Sequence, residues 1–547
     1  MPRKCPAGPG RIPFLYGEWL LSPVVLGEGK ELDVTSSFAT SLTTLLGPDP
    51  RSGLTQAGER QTVTNVSPLS GKELPAMPLG TAEDVEKAFV KARAAQRTWG
   101  EAPVTERAEI IGNVARKVRA YEKELLDIIQ EENGKVRAHA FEEVTDVAMT
   151  ASWLAKNAPK ILKEAKVEGV MPLLSSVRIN HHPLGVVAVI SPWNYPFTLA
   201  ISDALAALVA GNAIVLKPDS KTVLSALAAK KVLTEAGLDP DLLQIVAGPG
   251  SKLGAELISR ADYLMFTGST ATGRIVAAQA GEALIGCSAE LGGKNPLLVL
   301  GDAPISRAVK GAVKATTSNS GQLCISIERI YVVDSVWDEF VPAYVKAMKK
   351  VRVEASHSWK AGMGPLISTD QFNTVSEHVN DAVGKGATVL AGGHALPKVG
   401  PTAYAPTVLT DVTEDMIVCR TETFGPVVSL YRVSSDEEAI RKANDTDYGL
   451  NASIWTDPAR GAELGARVEA GTVNINDGYI AAWAAYDAPM GGFGISGLGR
   501  RHGVNGILKY TEPQTVAIQR VQSVAPPAGV SEKAWARVMR LFGRYFK

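Results

Sequence analysis

Cysteine, histidine and net charge are all scarce in this chain of 547 residues. It has 4 cysteines and 7 histidines, and its 57 Lys and Arg balance its 57 Asp and Glu. So few cysteines do not make the disulfide framework of a small secreted protein, and they favour a reducing compartment, the cytoplasm. No spacing of Cys and His is typical of a metal site. Proteins that bind nucleic acid cluster a basic excess, so the zero net charge argues against that partner.

Long apolar runs are also missing. Residues 12–26 are the most apolar N-terminal segment, but Pro13, Glu18 and Pro23 interrupt it and it is too short to span a membrane. Basic residues precede it, so a poor signal peptide stays open, although no A-x-A-like cleavage site follows promptly. We predict a loosely ordered extension over residues 1–57, and no stable membrane insertion.

The remaining sequence predicts large α/β domains. Hydrophobic residues make up 45% of the chain, enough for sizeable buried cores. Residues 82–166 carry apolar side chains at helical spacing, whereas helix-like stretches later alternate with short apolar runs. These runs are GVVAVI (185–190), AIVLK (213–217), LLQIVAG (242–248) and DYLMFTG (262–268). The alternation is typical of a parallel sheet with helices on both faces, and we predict two such domains joined near residues 290–293.

The C-terminal residues 531–547 place apolar side chains among Lys and Arg, which predicts a basic amphipathic helix. Such a helix docks on its own protein or on a sister subunit. A membrane surface is the alternative.

Two features at predicted strand ends suit a phosphate or a ribose, because parallel sheets bind ligands beyond the carboxyl ends of their strands. The turn from Gly268 and Ser269 to Gly273 opens a helix and offers free backbone N–H groups. It lacks the usual G-x-G-x-x-G fingerprint, so a plain tight turn is the alternative. Lys217 ends a strand and points into the crevice, unless it is simply a solvated lysine.

Three further residues suit covalent catalysis. Cys324 lies among small and polar residues, where backbone can approach a substrate, but a thiol needs a base or a positive field to become nucleophilic. Glu290 precedes two glycines, so its carboxylate can swing towards a water. Asn194 is held between two prolines, and its side-chain amide can donate to an oxyanion. The alternatives are a buried thiol, a surface glutamate and an asparagine that bonds its own turn.

The order of eight motifs resembles that of the aldehyde dehydrogenase superfamily over about residues 60–515. The motifs are SPWNYPF, VLKPDS, FTGSTATG, ELGGKNP, SGQLC, ETFGPVV, NDTDYGLNASIW and PMGGFGISGLGRRHG. Within the superfamily, the whole chain resembles the actinobacterial succinate-semialdehyde dehydrogenases.

The resemblance implies oxidation of an aldehyde to its acid with NADP or NAD. Cys324 matches the nucleophile that forms a thiohemiacetal and then a thioester, Asn194 the oxyanion donor, and Glu290 the base that activates water. The positions that match cofactor contacts are Trp193, Lys217, Ser220, Gly268, Ser269, Gly273, Glu422 and Phe424.

The resemblance also implies an aldehyde dehydrogenase-like fold with two Rossmann-like domains and a homodimer or homotetramer. The implied division is a cofactor-binding domain (58–166 and 184–291), a catalytic domain (292–495), an oligomerisation hairpin (167–183 and 508–518) and a C-terminal tail (519–547).

Several residues depart from the family pattern. Ser220 replaces a glutamate common in NAD-preferring members, so we expect NADP to be preferred. Ser202 and Ser318 replace two arginines that hold the substrate carboxylate in well-known succinate-semialdehyde enzymes. A broad-range aliphatic or aromatic aldehyde therefore stays open as the substrate. Ser326 excludes a Cys-x-Cys disulfide switch at the nucleophile.

Two other activities are alternatives for this sequence. CoA-acylating relatives typically lack the base, so Glu290 argues against transfer of the acyl group to CoA. A protein that kept the fold without the chemistry is not expected to retain Cys324, Glu290 and Asn194 together.

Overall fold

The computed structural model describes residues 34–56, 60–168, 175–519 and 525–545. Helices and strands alternate through most of these residues. The helices are α1 Val34–Leu46, α2 Ala82–Glu101, α3 Val104–Ala120, α4 Glu122–Asn133, α5 Arg137–Ile161, α6 Thr198–Val209, α7 Val223–Glu235, α8 Gly250–Ile258, α9 Thr270–Glu282, α10 Ile305–Thr317, α11 Asp334–Met348, α12 Thr369–Gly384, α13 Ile417–Arg420, α14 Asp436–Asn444, α15 Pro458–Gly465, α16 Ile480–Trp483, α17 Gly503–Leu508 and α18 Glu532–Tyr545.

The strands build two large sheets and three smaller ones. They are β1 Thr62–Val63, β2 Met77–Pro78, β3 Ala165–Val167, β4 Ser175–Pro183, β5 Val186–Ile190, β6 Ala213–Lys217, β7 Leu243–Ile245, β8 Tyr263–Thr267, β9 Gly286–Glu290, β10 Asn295–Val299, β11 Ile327–Val333, β12 Thr388–Ala391, β13 Thr407–Thr410, β14 Val427–Val433, β15 Tyr448–Gly449, β16 Asn451–Trp455, β17 Thr472–Ile475, β18 Phe493–Gly494, β19 Gly497–Leu498 and β20 Thr511–Gln519.

The first large sheet has the strand order β19-β9-β8-β5-β6-β7. Neighbouring strands from β9 to β7 run parallel, and β19 pairs antiparallel with β9 at the edge. Every residue of β5 and β6 is buried, as expected for strands covered on both faces. The four apolar runs predicted as strands therefore do form strands of one parallel sheet.

The second large sheet has the order β12-β13-β14-β11-β10-β16-β17, parallel except for the edge strand β12. Strand β11 is buried along its whole length. The predicted α/β fold class is confirmed. The loops after strands β5, β8 and β9 of the first sheet meet the segments that precede strands β11 and β14 of the second sheet at the site described below.

A three-stranded antiparallel sheet, β20-β4-β3, stands apart from these two. Strand β4 pairs with β20 over nine residues on one side and with β3 over three residues on the other. Val516 and Ile518 on β20 are 37% and 43% exposed. Residues 169–174 of the predicted hairpin lie outside the described residues.

The prediction of a loosely ordered extension is wrong for residues 34–56. Helix α1 packs against α4, and the Ser37 and Ser41 hydroxyls donate to the Asp127 carboxylate at 3.0 and 2.7 Å. Leu45 is fully buried. Helix α1 contacts α4 mainly through serines and a few leucines, so its sequence shows only a weak amphipathic pattern and does not predict a helix. Residues 1–33 and 57–59 lie outside the described residues.

The predicted C-terminal helix is present as α18, with Val538 and Leu541 exposed. Within the described residues, no helix combines the length and apolar character needed to cross a bilayer.

Candidate active site

A cavity of about 320 Å³ lies where the carboxyl ends of the first sheet face the second sheet. We call it the cofactor-side cavity. Among its lining residues are eight of the predicted site residues: Trp193, Asn194, Gly268, Ser269, Glu290, Cys324, Glu422 and Phe424. Residues predicted from separate motifs are thus brought to one place.

The Cys324 loop has an unusual backbone. Asn319, Ser320 and Gly321 have φ of 48°, 58° and 72°, a left-handed run just before the thiol. A Cβ on Gly321 would lie 2.0 Å from the carbonyl oxygen of Gly425, so only glycine fits there. The side-chain amide of Asn295 donates to the Cys324 carbonyl at 2.8 Å. These contacts fix the position of the thiol.

Asn194 is 3% exposed and held from several sides. Its backbone carbonyl accepts hydrogen bonds from the Lys135 ammonium at 2.7 Å and from the Asn319 amide at 2.9 Å. Its own side-chain amide donates to the carbonyl of Gln322 at 3.2 Å, two residues before Cys324. The amide is therefore fixed beside the nucleophile loop.

Sequence reasoning missed the buried ion pair behind Asn194. Lys135 and Glu143 are both fully buried, 2.5 Å apart. The other oxygen of Glu143 accepts the backbone N–H groups of Phe197 and Thr198 where α6 begins. No sequence motif predicts this pair, because Lys135 and Glu143 lie in a region whose sequence is typical of an ordinary amphipathic helix.

Glu290 ends β9 and is 6% exposed. Its Oε1 has no hydrogen-bond partner among the described residues. Burial raises the pKa of Glu290 to about 7, more than the positive charges of Arg501 and Lys509 lower it. A carboxyl group with this pKa accepts and releases protons near neutral pH.

The thiol of Cys324 is protonated at neutral pH in this environment. Burial, helped by the nearby carboxyl groups of Glu422 and Glu290, raises the pKa of Cys324 to about 12. The thiol must therefore lose its proton as it reacts. Glu290 lines the same cavity and has the lower pKa.

A second buried ion pair shapes the loop that carries Glu422 and Phe424. Glu328 pairs with Lys294 at 2.5 Å and accepts the backbone N–H groups of Thr423 and Phe424 at 2.9 to 3.0 Å. Phe424 has φ of 53°, a costly conformation for an aromatic residue that these bonds hold in place. Its ring meets Trp193 edge-on, with centroids 5.4 Å apart.

Glu422 faces the cavity from the same loop. Its Oε1 accepts the backbone N–H of Gly293 at 2.9 Å. A Cβ on Gly292 would lie 2.4 Å from the other oxygen, so this glycine is needed for the close approach. Burial, together with the charge of Glu328, raises the pKa of Glu422 to about 8.

Three predicted cofactor residues do not line this cavity. Lys217 ends β6, is 5% exposed and donates to the carbonyl of Pro218 at 3.0 Å. Ser220 follows it, and its carbonyl accepts from the Asn65 amide at 2.7 Å. Gly273 is buried in α9, where a Cβ would lie 2.4 Å from a methyl of Leu291. Its role in the structure is close packing.

The polar groups along this sheet edge fit an extended dinucleotide. The Ser269 hydroxyl caps α9 by accepting from the N–H of Thr272, so the helix begins at the cavity. The Lys217 Cε lies 3.8 Å from where a Cβ on Gly250 would be, at the start of α8. A buried ammonium and two helix starts at strand ends suit phosphate and ribose groups.

A second cavity of about 200 Å³ lies on the other side of the Cys324 loop, and we call it the apolar cavity. Leu323 and Ile325, the neighbours of Cys324, are part of its wall. The other lining residues are Phe141, Glu142, Glu143, Thr145, Asp146, Met149, Tyr195, Thr198, Tyr479, Ile480, Trp483, Ala484 and Tyr486.

The two serines at the positions where arginine was expected have hydroxyl groups that are hydrogen-bonded to residues of this cavity. The Ser202 hydroxyl donates to the Asp146 carboxylate at 3.1 Å. The Ser318 hydroxyl accepts from the Tyr479 hydroxyl at 2.7 Å.

The sequence model of the aldehyde dehydrogenase family matches residues 55–516. The chain belongs to this family, and its fold is the α/β fold of aldehyde dehydrogenases.

Relatives with assigned names extend over most of the chain. A Mycolicibacterium smegmatis protein provisionally named an NADP(+) succinate-semialdehyde dehydrogenase is 53% identical over 86% of this chain and 91% of its own length. A 4,4'-diapolycopene aldehyde oxidase of Methylomonas is 37% identical, over 83% and 85%. The crystal structure of a succinate-semialdehyde dehydrogenase from Burkholderia pseudomallei matches with a TM-score of 0.80 and 34% identity, over 84% of this chain and 95% of that one.

Proposed function

We propose that this chain oxidises an aldehyde to its carboxylic acid through a thioester on Cys324. The single observation that carries the proposal is the meeting of Cys324, Asn194 and Glu290 at one cavity. An aldehyde, one water and NADP⁺ or NAD⁺ give the carboxylate, the reduced dinucleotide and two protons. The reduced dinucleotide provides the readout.

In the first half-reaction, the Cys324 sulfur attacks the aldehyde carbon and the thiol proton is released to bulk water. The side-chain amide of Asn194 and the backbone N–H of Cys324 donate to the oxyanion of the thiohemiacetal. A nicotinamide dinucleotide supplies the hydride acceptor when it is bound at this cavity.

In the second half-reaction, after hydride has left the thiohemiacetal carbon and the thioester has formed, the carboxylate of Glu290 takes a proton from water, and the hydroxide attacks the thioester carbon. The C–S bond breaks, and the thiol is regenerated. Glu290 suits this task because burial raises its pKa to about 7, so it is largely ionised at slightly alkaline pH. This base also supports hydrolysis over transfer of the acyl group to CoA.

For the cofactor, we propose that Trp193, Ser269, Glu422 and Phe424 hold the end that reacts and the pyrophosphate, with Gly268 allowing the close turn. Lys217 contacts the adenosine ribose at the far end. Ser220 leaves room for a 2′-phosphate where a carboxylate would repel one, which supports NADP over NAD.

For the substrate, the relatives' names support succinate semialdehyde. One observation favours the broader alternative of aliphatic or aromatic aldehydes. The arginine positions that would hold a carboxylate are Ser202 and Ser318, and both hydroxyls already bond residues of the apolar cavity.

The proposed assembly is a homodimer or homotetramer formed through the sheet of β20, β4 and β3. Its outer strands present unpaired backbone edges and exposed apolar side chains, which another subunit can cover. The proposed location is the cytoplasm, because the described cysteines Cys287, Cys324 and Cys419 are free thiols. Light scattering after gel filtration measures the subunit number.

The decisive experiment follows NADPH absorbance with the purified chain, NADP⁺ and a panel of aldehydes. We expect dinucleotide reduction that requires an aldehyde, and an acid product without added CoA. A chain that reduces no dinucleotide with any aldehyde would overturn the proposal.

A further inference from the structure

The apolar cavity has three acidic residues on its wall, Glu142, Glu143 and Asp146, whereas the cations near it are not lining residues. Lys135 pairs with Glu143. The Arg501 guanidinium lies over the Trp483 ring, 5.8 Å from its centroid. None of the described residues that line it is Lys, Arg or His. Two of its acidic residues, Asp146 and Glu142, lie on successive turns of α5. Most of the remaining wall is aromatic or aliphatic, including Phe141, Met149 and Trp483.

Asp146 is 5% exposed and accepts four hydrogen bonds. Its Oδ1 accepts from the Trp483 indole at 2.8 Å and from the Tyr486 hydroxyl at 2.9 Å. Its Oδ2 accepts from the hydroxyls of Thr198 and Ser202. An indole N–H can only donate, so Oδ1 is held as an acceptor. These four neutral donors are thus hydrogen-bonded to the protein's own carboxylate on Asp146.

A substrate carboxylate entering this cavity would meet two difficulties. Four side-chain donors that could bind it are already bonded to Asp146, and of the described donors on the wall the Tyr195 hydroxyl is left without a partner. It would also lie near a like charge in a cavity whose wall is mostly aromatic and aliphatic, where repulsion is screened less than in bulk water. Glu142 adds to the repulsion, although Lys314 pairs with it at 3.3 Å on its exposed side.

A cationic tail gains little in compensation. The two oxygens of a carboxylate offer about four acceptor sites, and those of Asp146 are filled. The ammonium would lose its hydration on entering and would find no free acceptor at Asp146. An uncharged apolar tail avoids both costs and gains contact with the aromatic and aliphatic wall.

We propose that Asp146 is a specificity-determining residue that makes this chain prefer aldehydes with an uncharged apolar tail over aldehydes with an anionic tail. The inference rests on the proposed aldehyde oxidation. Succinate semialdehyde remains a substrate, but a slower one than an uncharged aldehyde of similar length. The residue acts on binding of the tail and takes no part in the chemistry at Cys324.

The first test compares kcat/KM of the unaltered chain for hexanal, succinate semialdehyde and 4-aminobutanal, with NADP⁺. We expect hexanal to exceed succinate semialdehyde by about tenfold or more. A kcat/KM for succinate semialdehyde equal to or above that for hexanal overturns the inference while leaving the proposed function intact, and so does a preference for 4-aminobutanal. Failure with all three aldehydes counts against the proposed function itself.

The second test uses Asp146→Asn, which keeps the shape and removes the charge. We expect the ratio of kcat/KM for succinate semialdehyde to that for hexanal to rise by about tenfold. The rise comes mainly from a lower KM for succinate semialdehyde, because the tail contact acts on binding. An unchanged ratio in a variant that still unfolds cooperatively and oxidises hexanal contradicts the role of Asp146.

A matched control removes a carboxylate elsewhere. Asp334 is half exposed and pairs with Arg432 at 2.6 Å, outside both cavities. Asp334→Asn is expected to leave the substrate ratio unchanged. If it moves the ratio as much as Asp146→Asn does, the effect belongs to the protein's overall charge, and the inference fails. The comparison among wild-type substrates stands even if Asp146→Asn does not fold.

Discussion

The cofactor-side cavity and the apolar cavity lie on opposite sides of one loop, yet they are built differently. The first is lined by residues of the loops that follow strands of the first sheet or precede strands of the second, among them Asn194, Glu290, Cys324 and Glu422, with glycines at Gly292 and Gly293 that allow close approach. The second is lined mainly by side chains from α5, α6 and the segment around α16. The proposed reaction at Cys324 restricts which residues can line the cofactor-side cavity, whereas the apolar cavity only has to accommodate the tail of the substrate. Predictions that separate the two cavities test this division.

Cys324 lies between the two cavities, so its loss should affect every substrate alike. We expect Cys324→Ala to lower turnover by at least about 10³-fold with hexanal and with succinate semialdehyde, because no thioester can form. Dinucleotide binding, followed by NADPH fluorescence, should persist. Substantial oxidation by Cys324→Ala would refute the nucleophile assignment.

Glu290 belongs to the cofactor-side cavity alone. Glu290→Gln keeps the shape of the side chain but removes the base, so deacylation should slow by about 10²- to 10⁴-fold. A rapid-mixing experiment should then show a burst of about one NADPH per active site before a slow steady state. Loss of the burst together with the steady state would instead place Glu290 in the first half-reaction.

Lys135 and Glu143 form a buried ion pair beside the apolar cavity, which Glu143 lines, and Lys135 also bonds the carbonyl of Asn194. Lys135→Met leaves the carboxylate of Glu143 buried and unpaired, so we expect a loss of about 3–5 kcal/mol in the free energy of unfolding. The exposed pair of Lys87 and Glu83 is the control. Lys87→Met should cost less than about 1 kcal/mol in the same denaturant titration. Equal losses in the two variants would contradict the importance of burial.

The pH dependence should follow the cofactor-side cavity. Burial raises the pKa of Glu290 to about 7, so the group is protonated and inactive as a base below that pH. We expect the deacylation rate to fall about tenfold per pH unit below pH 7 and to level off above it. In Glu290→Gln this fall of the deacylation rate below pH 7 should be absent. Burial raises the pKa of Glu422 to about 8. Any second inflection of the pH profile near that pH should therefore remain in Glu290→Gln.

Much of the fold and of the first cavity could be predicted from sequence, for a physical reason. Buried parallel strands are continuous apolar runs, and AIVLK gave both bounds of β6 correctly. The catalytic candidates sit in short motifs with turn residues at fixed spacing. What escaped prediction depends on contacts distant in sequence. The Lys135–Glu143 pair, the Lys294–Glu328 pair and the donors around Asp146 become visible only when helices and loops have packed.

The smallest expected effect lies at Ser220, which is outside the cofactor-side cavity and is proposed to lie near the adenosine end of the cofactor. Ser220→Glu places a carboxylate where a 2′-phosphate is proposed to bind. NADP⁺ carries that phosphate and NAD⁺ does not, so we expect the ratio of kcat/KM for NADP⁺ to that for NAD⁺ to fall by about tenfold. Ser220→Gln has the same length without the charge and should change the ratio less. If the two variants give the same ratio, side-chain size decides the preference and the electrostatic argument fails. Because this site is remote from the apolar cavity, the hexanal to succinate semialdehyde ratio should not respond to either change, whereas it should respond to Asp146→Asn.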